Sequence, residues 1–256
     1  MILMRQTGWM IVRQLRNVSR QPVWVGVMVV QPLIWLLLYG QLFSRVEVLR
    51  AGASSYVEFL VPGIICMNAF FAGSWSGLAT IEDLEHHVID RFLAAPTARS
   101  AIVLSQVLRA GIIAIAQAVA VLLLGLAVGV HVHGGAAGWL VVLAASAFLA
   151  TTFAGLSHGI ALLVRREASM IAVANLIGLP LVFLSAILIP TQQMPGWIEQ
   201  VSRFNPVNWG VRAARNGVTT GGEWGVTSGS LLLLLAATVA TTTFATLCFR
   251  AYQRSV

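Results

Sequence analysis

Charged residues are missing from five long stretches of this chain: Gln21–Ser44 (24 residues), Phe59–Ile81 (23), Ala110–Val164 (55), Ala168–Ile198 (31) and Trp224–Phe249 (26). A helix needs about 20 apolar residues to cross about 30 Å of hydrocarbon, so every one of these runs is long enough to span a bilayer. The 55-residue run divides at the polar, Gly-rich segment Gly129–Gly138. Six helices are therefore expected, at about 22–43, 58–80, 102–128, 138–164, 168–190 and 227–249. No ten-residue alternating segments of the kind that build a membrane barrel occur. Composition agrees: 58% of residues are hydrophobic and 10% charged, against about 25% charged in soluble domains. The expected fold class is all-α integral membrane.

Arginine orients the spans. All 16 basic residues are Arg, and there is no Lys. With the N-terminus inside, Arg5, Arg13, Arg16, Arg20, Arg91, Arg99, Arg109, Arg165, Arg166, Arg250 and Arg254 fall on the cytoplasmic side. Only Arg45, Arg50, Arg203, Arg212 and Arg215 fall outside. The positive-inside rule then gives N-in, C-in. The Arg residues lie scattered between apolar blocks rather than in a basic stripe, so the charge balance of +7 reflects topology and not a nucleic-acid partner. A P-loop needs its Lys to reach nucleotide phosphates. If ATP drives this protein, a separate chain must hydrolyse it.

Three segments outside the spans have their own patterns. Residues 1–21 read as an amphipathic interfacial helix, with Met4, Ile11, Leu15 and Val18 on one face and Arg5, Arg13, Arg16 and Arg20 on the other. They lack the apolar core of a signal peptide, so this segment is expected to be retained. Between spans two and three, a short acidic helix is expected over about 81–95. Thr80 would be its cap, Asp83 would take the capping-box position, and Pro96 would end it. Ile81, Leu84, Val88 and Phe92 form its apolar stripe, and Asp83, His86 and Asp90 project from the far face. Between spans five and six, about 191–222, Pro195, Asn205–Pro206 and Gly217 mark out two short outer helices. Trp197, Phe204, Trp209 and Trp224 belong at the headgroup level there.

The chain offers no catalytic constellation. No Asp or Glu lies in a span interior, since Glu58 and Glu82 sit at edges. His131 and His133 are loop residues without further metal ligands at suitable spacing. His158 is a lone polar residue in span four, suited to a hydrogen bond between helices, and Ser157 beside it diverges on the helix surface. Cys66 and Cys248 lie within apolar runs and read as small buried hydrophobes. Gln31, Asn68, Gln117 and Asn175 are amides inside spans; Trp35, Phe70, Phe71, Trp75 and Phe183 are aromatics near them. These groups either hold helices together or line a path for an amphipathic organic molecule. Pro32, Pro62 and Pro180 lie inside spans one, two and five.

The order of these parts resembles the type-2 ABC exporter permeases, most closely the daunorubicin-resistance membrane subunits. Two stretches carry the resemblance: RFLAAPTARSAIVLSQVLRA (Arg91–Ala110) and LSAILIPTQQMPGWIEQVSRFNPVNWGVRAAR (Leu184–Arg215). It implies one permease domain over 22–256, preceded by a connecting helix at 1–21. The acidic helix becomes a cytoplasmic coupling helix seated in an ATP-binding cassette subunit, with Glu82, Asp83, Glu85, Asp90 and Arg91 as contact candidates. The resemblance further implies a second permease copy or paralogue, with a substrate path at the dimer axis. Candidates for that path are Gln31, Trp35, Asn68, Phe70, Phe71, Trp75, Asn175 and Phe183. ATP and Mg would bind the partner subunit, this chain would hold no cofactor, and the complex would sit in a bacterial plasma membrane. The implied cargo is an amphipathic or hydrophobic drug, antibiotic or lipid-like compound. A lipid or lipid-linked glycan exporter of the same family is an alternative, as is an ATPase-independent channel or carrier. The His86–His87 pair has no counterpart in the family pattern.

Overall fold

The computed structural model describes residues 22–50, 53–86, 99–218 and 223–254. The expected N-terminal interfacial helix and the second half of the acidic helix, with Asp90 and Arg91, lie outside them. The described residues are helical, with no strand among them: α1 (Pro22–Leu42), α2 (Tyr56–Ser74), α3 (Leu78–Glu85), α4 (Arg99–Ala127), α5 (Gly135–Val164), α6 (Glu167–Phe183), α7 (Gly196–Ser202), α8 (Pro206–Val218) and α9 (Trp224–Gln253). Four segments are long and apolar enough to cross a membrane: Tyr56–Glu85, Ile102–Ala127, Gly135–Val164 and Trp224–Gln253. Glu167–Phe183 is a shorter apolar helix, and the stretch Val30–Leu42 of α1 is apolar as well.

α5 is the hub, packed by α2, α4, α8 and α9. Lipid tails are as apolar as leucine, so helices in a bilayer associate through close packing rather than through hydrophobic burial, and small residues permit it. Ala145, Ala150, Ala154 and Ala161 of α5 are fully buried for this reason. Gly155 meets α9 backbone to backbone: a Cβ there would stand 2.8 Å from Thr241 Oγ1 and 2.9 Å from Thr242 N. Gly155→Leu should therefore push α9 away and lower stability by about 2 kcal/mol or more. Gly229→Ala, facing open space, should leave the thermal midpoint of the detergent-solubilised protein within a degree or two. Equal midpoints for both variants would contradict this packing.

The two ends of the bundle differ. At one end α3 leaves α2 through a corner held by α5. Ser157 Oγ donates to Ser74 O (2.6 Å) and accepts from Gly77 N (2.9 Å). At the other end α8 packs against α2, with Arg215 over Phe59. There the loop after α4 is pinned as His133 N donates to Val218 O (2.9 Å) and His133 Nδ1 meets the buried Glu58 carboxylate at 3.2 Å. Ser54 also donates to Glu58, through both its hydroxyl and its backbone N–H.

The fifth apolar run departs from expectation. A helix to about residue 190 is expected, but α6 ends at Phe183, three residues after Pro180. Residues 184–190 turn instead, with Ala186 and Ile187 buried. Non-helical backbone survives at membrane depth only when protein groups satisfy it. Here Asn205 Nδ2 donates to Leu181 O (2.7 Å) and Leu184 O (3.0 Å), and Asn208 Oδ1 accepts from Ala186 N (3.1 Å). Arg215 donates to Ala186 O (2.8 Å), and Tyr56 Oη donates to Leu188 O (3.0 Å). The outer segment is thus a latch that supplies the hydrogen bonds the broken helix gave up. The Asn205–Pro206 break between the two expected short helices falls between α7 and α8.

Candidate functional site

α3 is the described part of the expected acidic helix. It starts at Leu78, three residues before the expected boundary, and its N-cap is Gly77, with no side-chain cap. Thr80 is not the cap. It sits buried inside the first turn, and its Oγ1 lies 2.6 Å from His158 Nδ1 of α5 and 3.4 Å from Gln106 Oε1 of α4. Asp83 makes no capping box either, nor does it project away: Gln106 Nε2 donates to Asp83 Oδ2 (3.3 Å). A cap hydrogen bond exchanged in water is worth little, whereas a buried amide or imidazole left unpaired costs about 1–3 kcal/mol. The hydroxyl and carboxylate of α3 therefore turn inward.

The donors in this chain can be ordered. A carboxylate only accepts, so Gln106 turns its amide nitrogen to Asp83 and its oxygen to Thr80. The Thr80 hydroxyl then donates to Gln106, and its oxygen accepts from His158 Nδ1–H, a tautomer assigned from the network. The result is a continuous buried string, His158–Thr80–Gln106–Asp83, tying α3 to both α4 and α5. Ile81 of α3 adds an apolar anchor against Ala161 and Met170. Glu82 and Glu85 stay on the exposed side of α3.

The candidate path residues fall into different environments. Gln31, Asn175 and Phe183 are exposed on the outer faces of α1 and α6, with Phe183 71% exposed. Trp35 and Phe71 are half-buried. Phe70 is buried, its ring 4.6 Å from that of Phe153, and lies in the core rather than on a free face. The Asn68 side chain has its Nδ2 buried without a partner. Trp75 lies at the α3 end, on a cavity shared with α4 and α5.

Two features were missed in the sequence. One is an aromatic ladder, Trp35–Tyr39–Phe43–Tyr56–Phe59, with successive centroids 5.0–5.9 Å apart. Its i, i+4, i+8 spacing on α1 was the available signal. The ladder ends under the half-buried Arg215, whose Cζ stands 3.7 Å from the Phe59 centroid. Desolvation lowers the Arg215 pKa to about 10, which leaves it protonated at neutral pH. The other is the string of polar groups around Thr80, whose members are 78 positions apart for Thr80 and His158.

A helical bundle with several bilayer-length apolar helices and a latched broken helix has the build of a multi-pass membrane protein. The chain belongs to the ABC-2 type transporter family, whose membrane domain matches residues 5–219. It is similar to the daunorubicin resistance ABC transporter permease protein DrrB1 of Streptomyces coeruleorubidus, at 30% identity over 91% of this chain and 80% of that protein. It is also similar to the transport permease ycf38 of Cyanophora paradoxa (30% identity, 78% of this chain, 69% of that one). The ycf38 of Pyropia yezoensis matches at 27% identity over 83% of this chain and 74% of that protein.

Proposed function

We propose that this chain is the membrane-spanning subunit of an ATP-driven exporter, working as a dimer with two separately encoded ATP-binding subunits. Family membership supports the transport role, and the buried string from α3 into α4 and α5 is the observation that carries the mechanism. α1 and α6 complete a six-span, N-in/C-in bundle in a bacterial plasma membrane. At 1.5 Å per residue the 17-residue α6 covers about 26 Å, and its latched extension covers the remainder. α3 is the cytoplasmic coupling helix. ATP binding draws the two ATPases together, the coupling helices follow as rigid bodies, and the bundle shifts from inward- to outward-open. Such a shift requires contacts that differ between the two states.

The cargo is an amphipathic or hydrophobic compound such as a drug, antibiotic or lipid-like molecule. Its path runs along the exposed faces of α1 and α6 against a second copy, where Gln31, Trp35, Asn175 and Phe183 present aromatic and amide surface. The daunorubicin exporter similarity supports this class of cargo. Trp35→Ala should weaken transport or binding of a hydrophobic dye several-fold while leaving expression intact. Unchanged handling of every substrate tried would remove Trp35 from the path.

Glu82 and Glu85 are the groups on α3 free to face an ATPase. Glu82→Arg with Glu85→Arg should leave the permease folded, with an unchanged melting temperature. Co-purification of the ATP-binding subunit should fall at least tenfold. Undiminished co-purification together with full transport would reject docking through this helix. Active uphill transport by the permease alone, in nucleotide-free liposomes, would reject the exporter assignment altogether.

A further inference from the structure

Beside the Thr80 string lies a cavity of about 120 Å³ between α2, α4 and α5. It is room for more than a single water. Its walls divide by chemistry. Ala72, Ala110 and Ile113 form an apolar side, and Trp75 supplies a half-buried indole. Gln106, Arg109 and His158 form the polar side.

Two of these groups are unfinished. His158 is 2% exposed, and its Nε2 is buried without a hydrogen-bond partner. Since its Nδ1 carries the proton toward Thr80, Nε2 is left with an unpaired lone pair beside the cavity and needs a donor. Arg109 stands within the apolar segment Ile102–Ala127, and no described residue hydrogen-bonds to its guanidinium. Glu82 and Asp83 act on it only through their charge: Glu82 faces outward, and Asp83 is engaged by Gln106. Arg109 is half-buried at the α3 end of the bundle, where its guanidinium is placed to pair with an anion.

An anion acceptor and a lone pair thus face one cavity, with an aromatic and aliphatic wall opposite. We propose that this cavity binds the anionic, hydroxyl-bearing head group of an amphipathic molecule, of phosphoglycerol chemistry. Arg109 takes the phosphate, His158 Nε2 accepts from a hydroxyl, and Trp75 with Ile113 covers the apolar stem. The site lies away from the exposed faces of α1 and α6 and is independent of the cargo path. A head group seated here contacts the same His158 that holds α3, so its occupancy stiffens the seat of that helix.

Native mass spectrometry of the intact purified chain in micelles doped with phosphatidylglycerol or phosphatidylcholine tests this. Soluble glycerol 3-phosphate serves as competitor. Phosphatidylglycerol should be retained at least tenfold over phosphatidylcholine. Arg109→Gln should abolish the preference, Arg109→Lys should keep most of it, and Arg250→Gln, at the end of α9, should leave it intact. Competition by glycerol 3-phosphate would show that the head group suffices, and its failure would assign the site to the lipid; either result supports the proposal. Equal retention of the two lipids, or an Arg109→Gln protein that keeps the preference, would overturn it. So would a density map with only ordered water beside His158.

Discussion

Replacing Arg215 with leucine is expected to lower the melting temperature of the solubilised protein by on the order of 10 °C, the largest stability loss of any single substitution at the outer end. Arg215 donates to Ala186 O at 2.8 Å and to Phe59 O at 3.4 Å. Leucine would orphan the Ala186 carbonyl, at about 1–3 kcal/mol for a buried group left unpaired. It would also remove the cation from the Phe59 ring, worth roughly 2 kcal/mol where water is excluded. A total of about 3–5 kcal/mol is a large share of the 5–15 kcal/mol that holds a typical domain folded. Arg212, three positions earlier on α8, is exposed, and Arg212→Leu should shift the midpoint by no more than a degree or two. If the two variants melt alike, Arg215 is not part of a latch. Arg215→Lys, keeping the charge but not the fork, should fall between them.

This latch also marks where sequence reasoning stopped. Apolar run length located the apolar helices, and four of the described segments are long enough to cross a membrane. The same logic carried the fifth helix too far. Run length reports hydrophobicity, and residues 184–190 are hydrophobic whether helical or not. What breaks the helix is a set of donors on Asn205, Asn208 and Arg215, more than 20 positions downstream. Nothing in the local pattern announces them. Arg215 in particular reads from sequence as an outer-side topology signal, whereas it turns inward to hydrogen-bond Ala186 and cover Phe59.

The acidic helix shows the opposite limit. Of its expected apolar stripe, Ile81 is buried and Leu84 half-buried, while Val88 and Phe92 lie outside the described residues. Its polar residues were assigned by local rules, cap for Thr80 and free face for Asp83, and both rules lost to partners on other helices. Thr80 and Asp83 are separated from Gln106 by 26 and 23 positions. Helical periodicity says which residues share a face. It does not say whether that face meets water or a neighbouring imidazole.

That reassignment yields the second large expectation, in function rather than stability. Thr80→Val in the assembled transporter should cut transport at least tenfold while ATP hydrolysis continues. A helix held only by apolar contacts can slide, because dispersion is non-directional. A buried hydrogen-bonded string resists sliding, since each broken link strands a polar group at about 1–3 kcal/mol. On the proposed mechanism, motion of α3 would be passed to α4 through Gln106 and to α5 through His158. Valine keeps the shape of threonine but severs both links. His158→Leu cuts one of the same links from the other side. The double variant should be little worse than Thr80→Val alone, a non-additivity of about 1 kcal/mol or more in the thermodynamic cycle. Thr80→Ser restores the hydroxyl and should restore transport. Additive losses, or a serine variant as defective as valine, would mean that α3 moves its neighbours by packing alone. A fall in ATP hydrolysis matching the fall in transport would place the defect in ATPase docking rather than in transmission through the string.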